Sequence, residues 1–169
     1  SNGTWNTKTR NFLKSVPPHR IDYMINLNHP QFLGKAIWDA TRQNLASLVG
    51  ENVSLSLNID KVGFRYEHII EAIKEFGFTN VRWSLAHPIL NQAGNSLLNN
   101  RYVRTEDYSK IAPQIYCFIS DVNKTGAHTN PDCTVPYCFF TPWQFKQITL
   151  NNNIIPSRSC NGAFDISPS

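Results

Sequence analysis

The residues best suited to chemistry in this sequence are neutral hydrogen-bonding side chains that follow short apolar runs. Asn26 and Asn28 follow the first run, Asn58 and Asp60 the second, and Ser84 and His87 the third. In parallel α/β architectures ligands sit at the carboxyl ends of strands, where loops and helix N-termini converge. Amides and hydroxyls at those ends can donate to and accept from a polar organic ligand without adding charge. The same residue types also form turns and cap helices, so each position taken singly has a purely structural reading. What favours a site is that all three run ends carry such groups.

The cysteines are the second candidate group. Cys133 and Cys138 form a C-x4-C pair with Pro136 between them, and Cys160 follows a polar, proline-containing stretch. Iron–sulfur and zinc sites take four soft ligands, and thiolates supply them. Three are present here, with His128 or a residue past Ser169 as the fourth. Reduced, unliganded cysteines or a Cys133–Cys138 disulfide is the alternative. Cys117 stands beside Phe118 in a helical pattern and reads as a small buried hydrophobe. His29, His87 and His128 share no ligand-type spacing, which argues against a metal-dependent hydrolase.

These groups must be positioned by the elements around them. The run from Arg20 to Asn26 predicts a strand, and Phe32, Leu33, Ala36, Ile37, Leu45 and Leu48 predict a helix over 31–49. Val53, Leu55, Leu57 and Ile59 alternate with small polar residues, which predicts a strand over 52–59 with one apolar face. Tyr66, Ile69, Ile70, Ile73 and Phe76 recur at helical spacing before Gly77, and residues 80–85 then read as a third strand. Strands alternating with helices predict one parallel sheet, with both helices on one face through right-handed crossovers. Residues 91–100 read as a loop. A helix opens near Thr105 and runs through Val122 with Pro113 inside it, the segment from His128 to Cys133 reads as irregular, and Thr141-Pro142 opens a short helix.

At 169 residues, with 41% hydrophobic and 17% charged side chains, the chain has the size and apolar content of one folded domain and not of a disordered tail. Its net charge of +4 is scattered and forms no basic run, so nucleic acid is not an expected partner. No apolar stretch approaches the ~20 residues that span a bilayer, and the N-terminus lacks a signal-peptide pattern. The expectation is a cytoplasmic protein without a membrane partner.

The order of the segments resembles a known family. Ser1-Asn2-Gly3-Thr4 resembles the Thr/Ser-Asn-Gly triplet that ends the third strand of radical S-adenosylmethionine barrels. Ile25-Asn26-Leu27-Asn28, Leu55-Ser56-Leu57-Asn58-Ile59 and Val81-Arg82-Trp83-Ser84 resemble strands four, five and six of that barrel, in order. Asp132 to Phe140, with Cys133 and Cys138, and Cys160 to Ile166 resemble the cysteine-bearing tail that several of these proteins carry. The resemblance implies an α/β fold, a partial (β/α) TIM-like barrel of parallel strands over 1–100, with a helical, cysteine-bearing extension over 101–169.

It also implies S-adenosylmethionine and a [4Fe-4S] cluster in the parent enzyme. The family's C-x3-C-x2-C motif and its Gly-Gly-Glu-Pro segment are absent from this sequence. The chain is therefore expected to be an inactive fragment, keeping only ribose and adenine contacts from Asn26, Asn28, Asn58 and Ser84. Cys133, Cys138 and Cys160 are the implied ligands of an accessory iron–sulfur cluster, and the substrate, a protein or peptide among the options, is unspecified. A non-catalytic α/β binding or assembly module is the alternative. An edge strand at 20–26 predicts self-association through that edge, or cover by the N-terminal arm.

Overall fold

The computed structural model describes residues 1–86 and 102–131. Four strands lie within them: β1 Asp22–Asn26, β2 Asn52–Ile59, β3 Asn80–Leu85 and β4 His128–Pro131. They form one sheet in the order β1-β2-β3-β4, and every pairing is parallel. The helices are α1 Thr7–Ser15, α2 Pro30–Leu33, α3 Lys35–Ala46, α4 Glu67–Phe76 and α5 Tyr108–Lys124, the last preceded by a 3-10 turn at Thr105–Asp107.

The alternation read from β2 is realised: Val53, Leu55, Leu57 and Ile59 are buried, while Asn52 and Asn58 are exposed. Register carries this face across the sheet. Ile25 lies opposite Leu55 and Leu55 opposite Val81, and Leu57 lies opposite Trp83. These side chains share one core with Leu45 of α3, Ile69 and Ile73 of α4, and Ile111, Ile115, Phe118, Ile119 and Val122 of α5. The three helices therefore cover the same face of the sheet.

Four local features depart from the sequence expectations. The helix expected over 31–49 is two helices, because Gly34 takes φ 74° and ψ 159°, a conformation that closes α2 and opens α3. The segment at 128–131, expected to be irregular, is β4: its composition lacks an apolar alternation, yet buried Thr129 pairs opposite Val81 and the His128 N–H donates to Thr79 O at 2.8 Å. Cys117, expected to be buried, is exposed, one step outside the stripe formed by Ile111, Ile115, Phe118 and Val122. Finally, α1 carries no apolar stripe and buries no residue; Asn6 caps it by accepting from the Thr9 N–H at 2.9 Å.

The boundary expected at 100/101, the loop at 91–100 and the helix at 141–148 lie outside the described residues. The described part of 101–131 continues the sheet through β4 and the core through α5.

The N-terminal arm runs beside β1. The Ser1 ammonium donates to Met24 O at 3.0 Å and the Asn26 N–H donates to Ser1 O at 2.7 Å, the pattern of a parallel ladder with Ser1 opposite Ile25. Asn44 of α3, fully buried, fixes the arm: its Nδ2 donates to Gly3 O at 2.7 Å and Trp5 O at 2.9 Å, and its Oδ1 accepts from Arg10 Nε at 2.7 Å. Gly3 has φ +70°, and a Cβ there would lie 3.1 Å from Thr41 Cγ2 and 3.2 Å from Ile25 Cγ2, so the approach is one that only glycine makes without strain.

Candidate functional site

Side chains alternate across a strand, so the residues between the core positions share the opposite face of the sheet. Register arranges them in rows. Asn26, Ser56, Arg82 and Asn130 form one row, and Asn58 and Ser84 form the next toward the carboxyl ends. Met24, Ser54, Asn80 and His128 form the row behind. This face is polar almost throughout. Ser84 Oγ donates to Asn58 Oδ1 at 2.7 Å, and Arg82 Nη1 lies 2.9 Å from Met24 Sδ.

Three of the four residues expected to contact a nucleoside, Asn26, Asn58 and Ser84, thus lie on one face at one end of the sheet. Asn28 stands just past the end of β1 and is exposed. Cys133, Cys138 and Cys160 lie outside the described residues, and among the described residues no three His, Cys, Asp or Glu side chains gather as a metal site.

At the same end the loops after β1 and β2 enclose a cleft of about 820 Å³. Asn28 and Asn58 line it, together with Asp60, Lys61, Arg65 and His68. The surprise in the cleft is His68, which is only 2% exposed. It sits in the first turn of α4, beside residues whose helical spacing marks a core face. A histidine inside an apolar stripe next to a strand-end loop was the available signal.

The chemistry of His68 follows from its partners. Its Nε2 lies 2.9 Å from Leu27 O; a carbonyl only accepts, so Nε2 carries the proton. Burial pushes the imidazole pKa down to about 4, against the opposing effect of the Leu27 hydrogen bond, and nearby His29 lowers it further. The ring is therefore neutral at pH 7, with a lone pair on Nδ1. That nitrogen is buried and has no hydrogen-bond partner among the described residues. The His29 ring stands edge-on to it, with centroids 5.1 Å apart and planes at 84°. Gln31 N–H donates to His29 Nδ1 at 3.2 Å, which fixes the loop between β1 and α2.

At the N-terminus of α4, Tyr66 OH donates to Asp121 Oδ2 at 2.9 Å and Lys124 Nζ donates to Asp121 Oδ1 at 2.8 Å. Burial, and then the bond to Asp121, raise the Tyr66 phenol well above its ordinary range. This triad joins α4 to α5 and keeps the first turn of α4, with His68, in place.

Compared with family models, with curated proteins and with solved structures, the chain finds no match in any of the three. Among the described residues no helix is long and apolar enough to cross a membrane.

Proposed function

We propose that the chain supplies strands four to six of a radical S-adenosylmethionine barrel, as β1, β2 and β3, with the polar sheet face turned inward toward the nucleoside of S-adenosylmethionine. One observation carries this reading: the candidate residues share a polar face at the carboxyl end of a parallel sheet whose helices α3, α4 and α5 all pack on the other face. A doubly wound parallel sheet buries both faces under helices and is apolar on both. Among the described residues, a parallel sheet with α3, α4 and α5 on one side and polar groups at its strand ends suits a barrel wall. Ser1 lies opposite Ile25 in a parallel pattern, which supports reading its segment as a strand ahead of β1.

The donor set fits the nucleoside. Asn26, Asn58 and Ser84 are uncharged and both donate and accept, as ribose hydroxyls and adenine nitrogens require. The Ser84 bond occupies Asn58 Oδ1, so the Asn58 amide keeps its NH2 to offer a ligand. Asn28 stands at the rim. A [4Fe-4S] cluster held by the parent's C-x3-C-x2-C motif would supply the electron for reductive cleavage of S-adenosylmethionine. No C-x3-C-x2-C occurs in this sequence; the cluster would be held by residues outside it, and the resemblance implies Cys133, Cys138 and Cys160 as ligands of an accessory cluster. The chain's own part is to orient the nucleoside and exclude water.

The test begins with the coding sequence upstream of Ser1, which this reading expects to encode C-x3-C-x2-C. In the protein carrying that motif, replacing Asn58 and Ser84 together by alanine should raise the KM for S-adenosylmethionine about tenfold through lost hydrogen bonds, with the cluster absorbance unchanged. Absence of the motif, or an unchanged KM, overturns the proposal.

A further inference from the structure

The excess positive charge of the chain is confined to one short region. Lys8, Arg10, Lys14 and Arg20 fall within residues 1–21, which hold no carboxylate; all 12 Asp and Glu lie past Ile21, against 12 of the 16 basic residues. The expectation of no nucleic-acid partner rested on the charge taken over the whole chain. Beyond this arm, described cations stand against carboxylates, as in Lys35–Asp39, Arg42–Glu75 and Lys124–Asp121. Among the described residues no carboxylate pairs with Lys8, Lys14 or Arg20. Glu51 meets the arm at the His19 backbone N–H, at 3.0 Å. The stretches outside the described residues hold Asp132 and Asp165 against Arg101, Lys146 and Arg158, so they bring no net negative charge to it.

A fixed scaffold presents this charge. α1 buries no residue; Arg10 and Leu13, three apart and therefore on one side, are half-buried, and the rest of the helix is exposed. Its anchor is polar: fully buried Asn44 accepts from Arg10 Nε and donates to Gly3 O and Trp5 O. The outward side carries Lys8 and Phe12 one turn apart, with Phe12 65% exposed, and exposed Thr7 and Asn11 as further donors. We propose that α1 and the segment to Arg20 dock a single-stranded nucleic acid, with Lys8, Lys14 and Arg20 on its phosphates and Phe12 under one base. Cations interleaved with an exposed ring suit an unpaired strand, because its bases are free to stack. A duplex keeps its bases inside and offers Phe12 no base face. An anionic membrane would need a continuous apolar face, whereas Phe12 is flanked by Lys8 and Asn11. The surface rests on no part of the nucleoside reading.

A fluorescein-labelled thymidine strand of about 12 nucleotides, followed by anisotropy on the full chain, is the probe. Its affinity should fall with salt at a log–log slope of about −2, the value for three phosphates on a single strand. Lys8→Gln with Lys14→Gln should reduce that slope by about 1.4, while Lys35→Gln with Lys74→Gln should leave it unchanged. Phe12→Ala should weaken binding about tenfold at unchanged slope, which separates stacking from charge. Absence of binding at low salt overturns the proposal. So does equal binding of the matching duplex, of polyglutamate or of phosphatidylserine vesicles, or an equal effect of the two lysine pairs. The comparison of strand, duplex, polyglutamate and vesicles uses the unmodified protein, and every substituted side chain is exposed, so loss of fold does not decide the result.

Discussion

The two faces of the sheet are built from the same strands and could hardly differ more. One carries Ile25, Leu55, Ile59, Val81 and Trp83, all buried beneath α3, α4 and α5. The other carries Asn26, Ser54, Asn58, Arg82 and Ser84, set in rows one residue out of step with the first. The free energy of folding comes overwhelmingly from the apolar face, through area removed from water. The polar face contributes little to that total, so its residues can answer to a ligand instead. A period of two in the sequence thereby separates packed from polar side chains within single strands.

The sharpest break of this contrast is a truncation in the packed face. Leu55→Ala should cost about 3 to 5 kcal/mol, because Leu55 is fully buried in an inner strand of the sheet and its loss opens a cavity in the core. The urea midpoint measures it, and a loss below about 1 kcal/mol would deny the core its assigned place.

His68 gives the next largest effect, as an ionisable group on the packed side. Its pKa falls from the ordinary 6.5 to about 4 on folding, so the unfolded chain binds the proton more readily. The stabilisation from this group is complete above pH 6.5 and is lost as pH falls toward 4, by at most on the order of 3 kcal/mol. Denaturation followed across that window should show the slope in the native protein and a flatter profile in His68→Phe. Equal slopes would mean that the imidazole is not desolvated.

Asn58→Ala, on the polar face, is the smallest. Exposed Asn58 loses one hydrogen bond to Ser84, and stability should move by no more than about 0.5 kcal/mol. A loss as large as that of Leu55→Ala would erase the distinction between the faces.

The sequence disclosed the packed face more readily than the site. Val53, Leu55, Leu57 and Ile59 alternate cleanly, and Ile69 and Ile73 repeat at helical spacing; hydrophobic burial writes itself as a period. That Asn26, Asn58 and Ser84 share one face follows from the same periods in parallel strands. What escaped was held by tertiary contacts alone. His-Thr-Asn-Pro becomes β4 because β3 offers it a register, and α1 persists through its Asn6 cap without an apolar stripe. Gly34 divides one periodic run into two helices. The state of His68 depends on Leu27 O beside its Nε2 and on the burial of its Nδ1, which no spacing encodes.

The parallel register has a consequence for how the chain reaches this structure. Asp22 pairs with Asn52, Ser54 with Asn80, and Asn80 with His128, so no rung of the ladder joins neighbours along the chain. Each pairing closes a long loop before any hydrogen bond repays the lost entropy, and topologies of this kind assemble slowly. The span from β3 to β4 is the longest of the three. Until it closes, the outer edge of β3 and the apolar seat of α5 stand open to other chains, and that interval is where nascent copies of the protein are most exposed to mispairing.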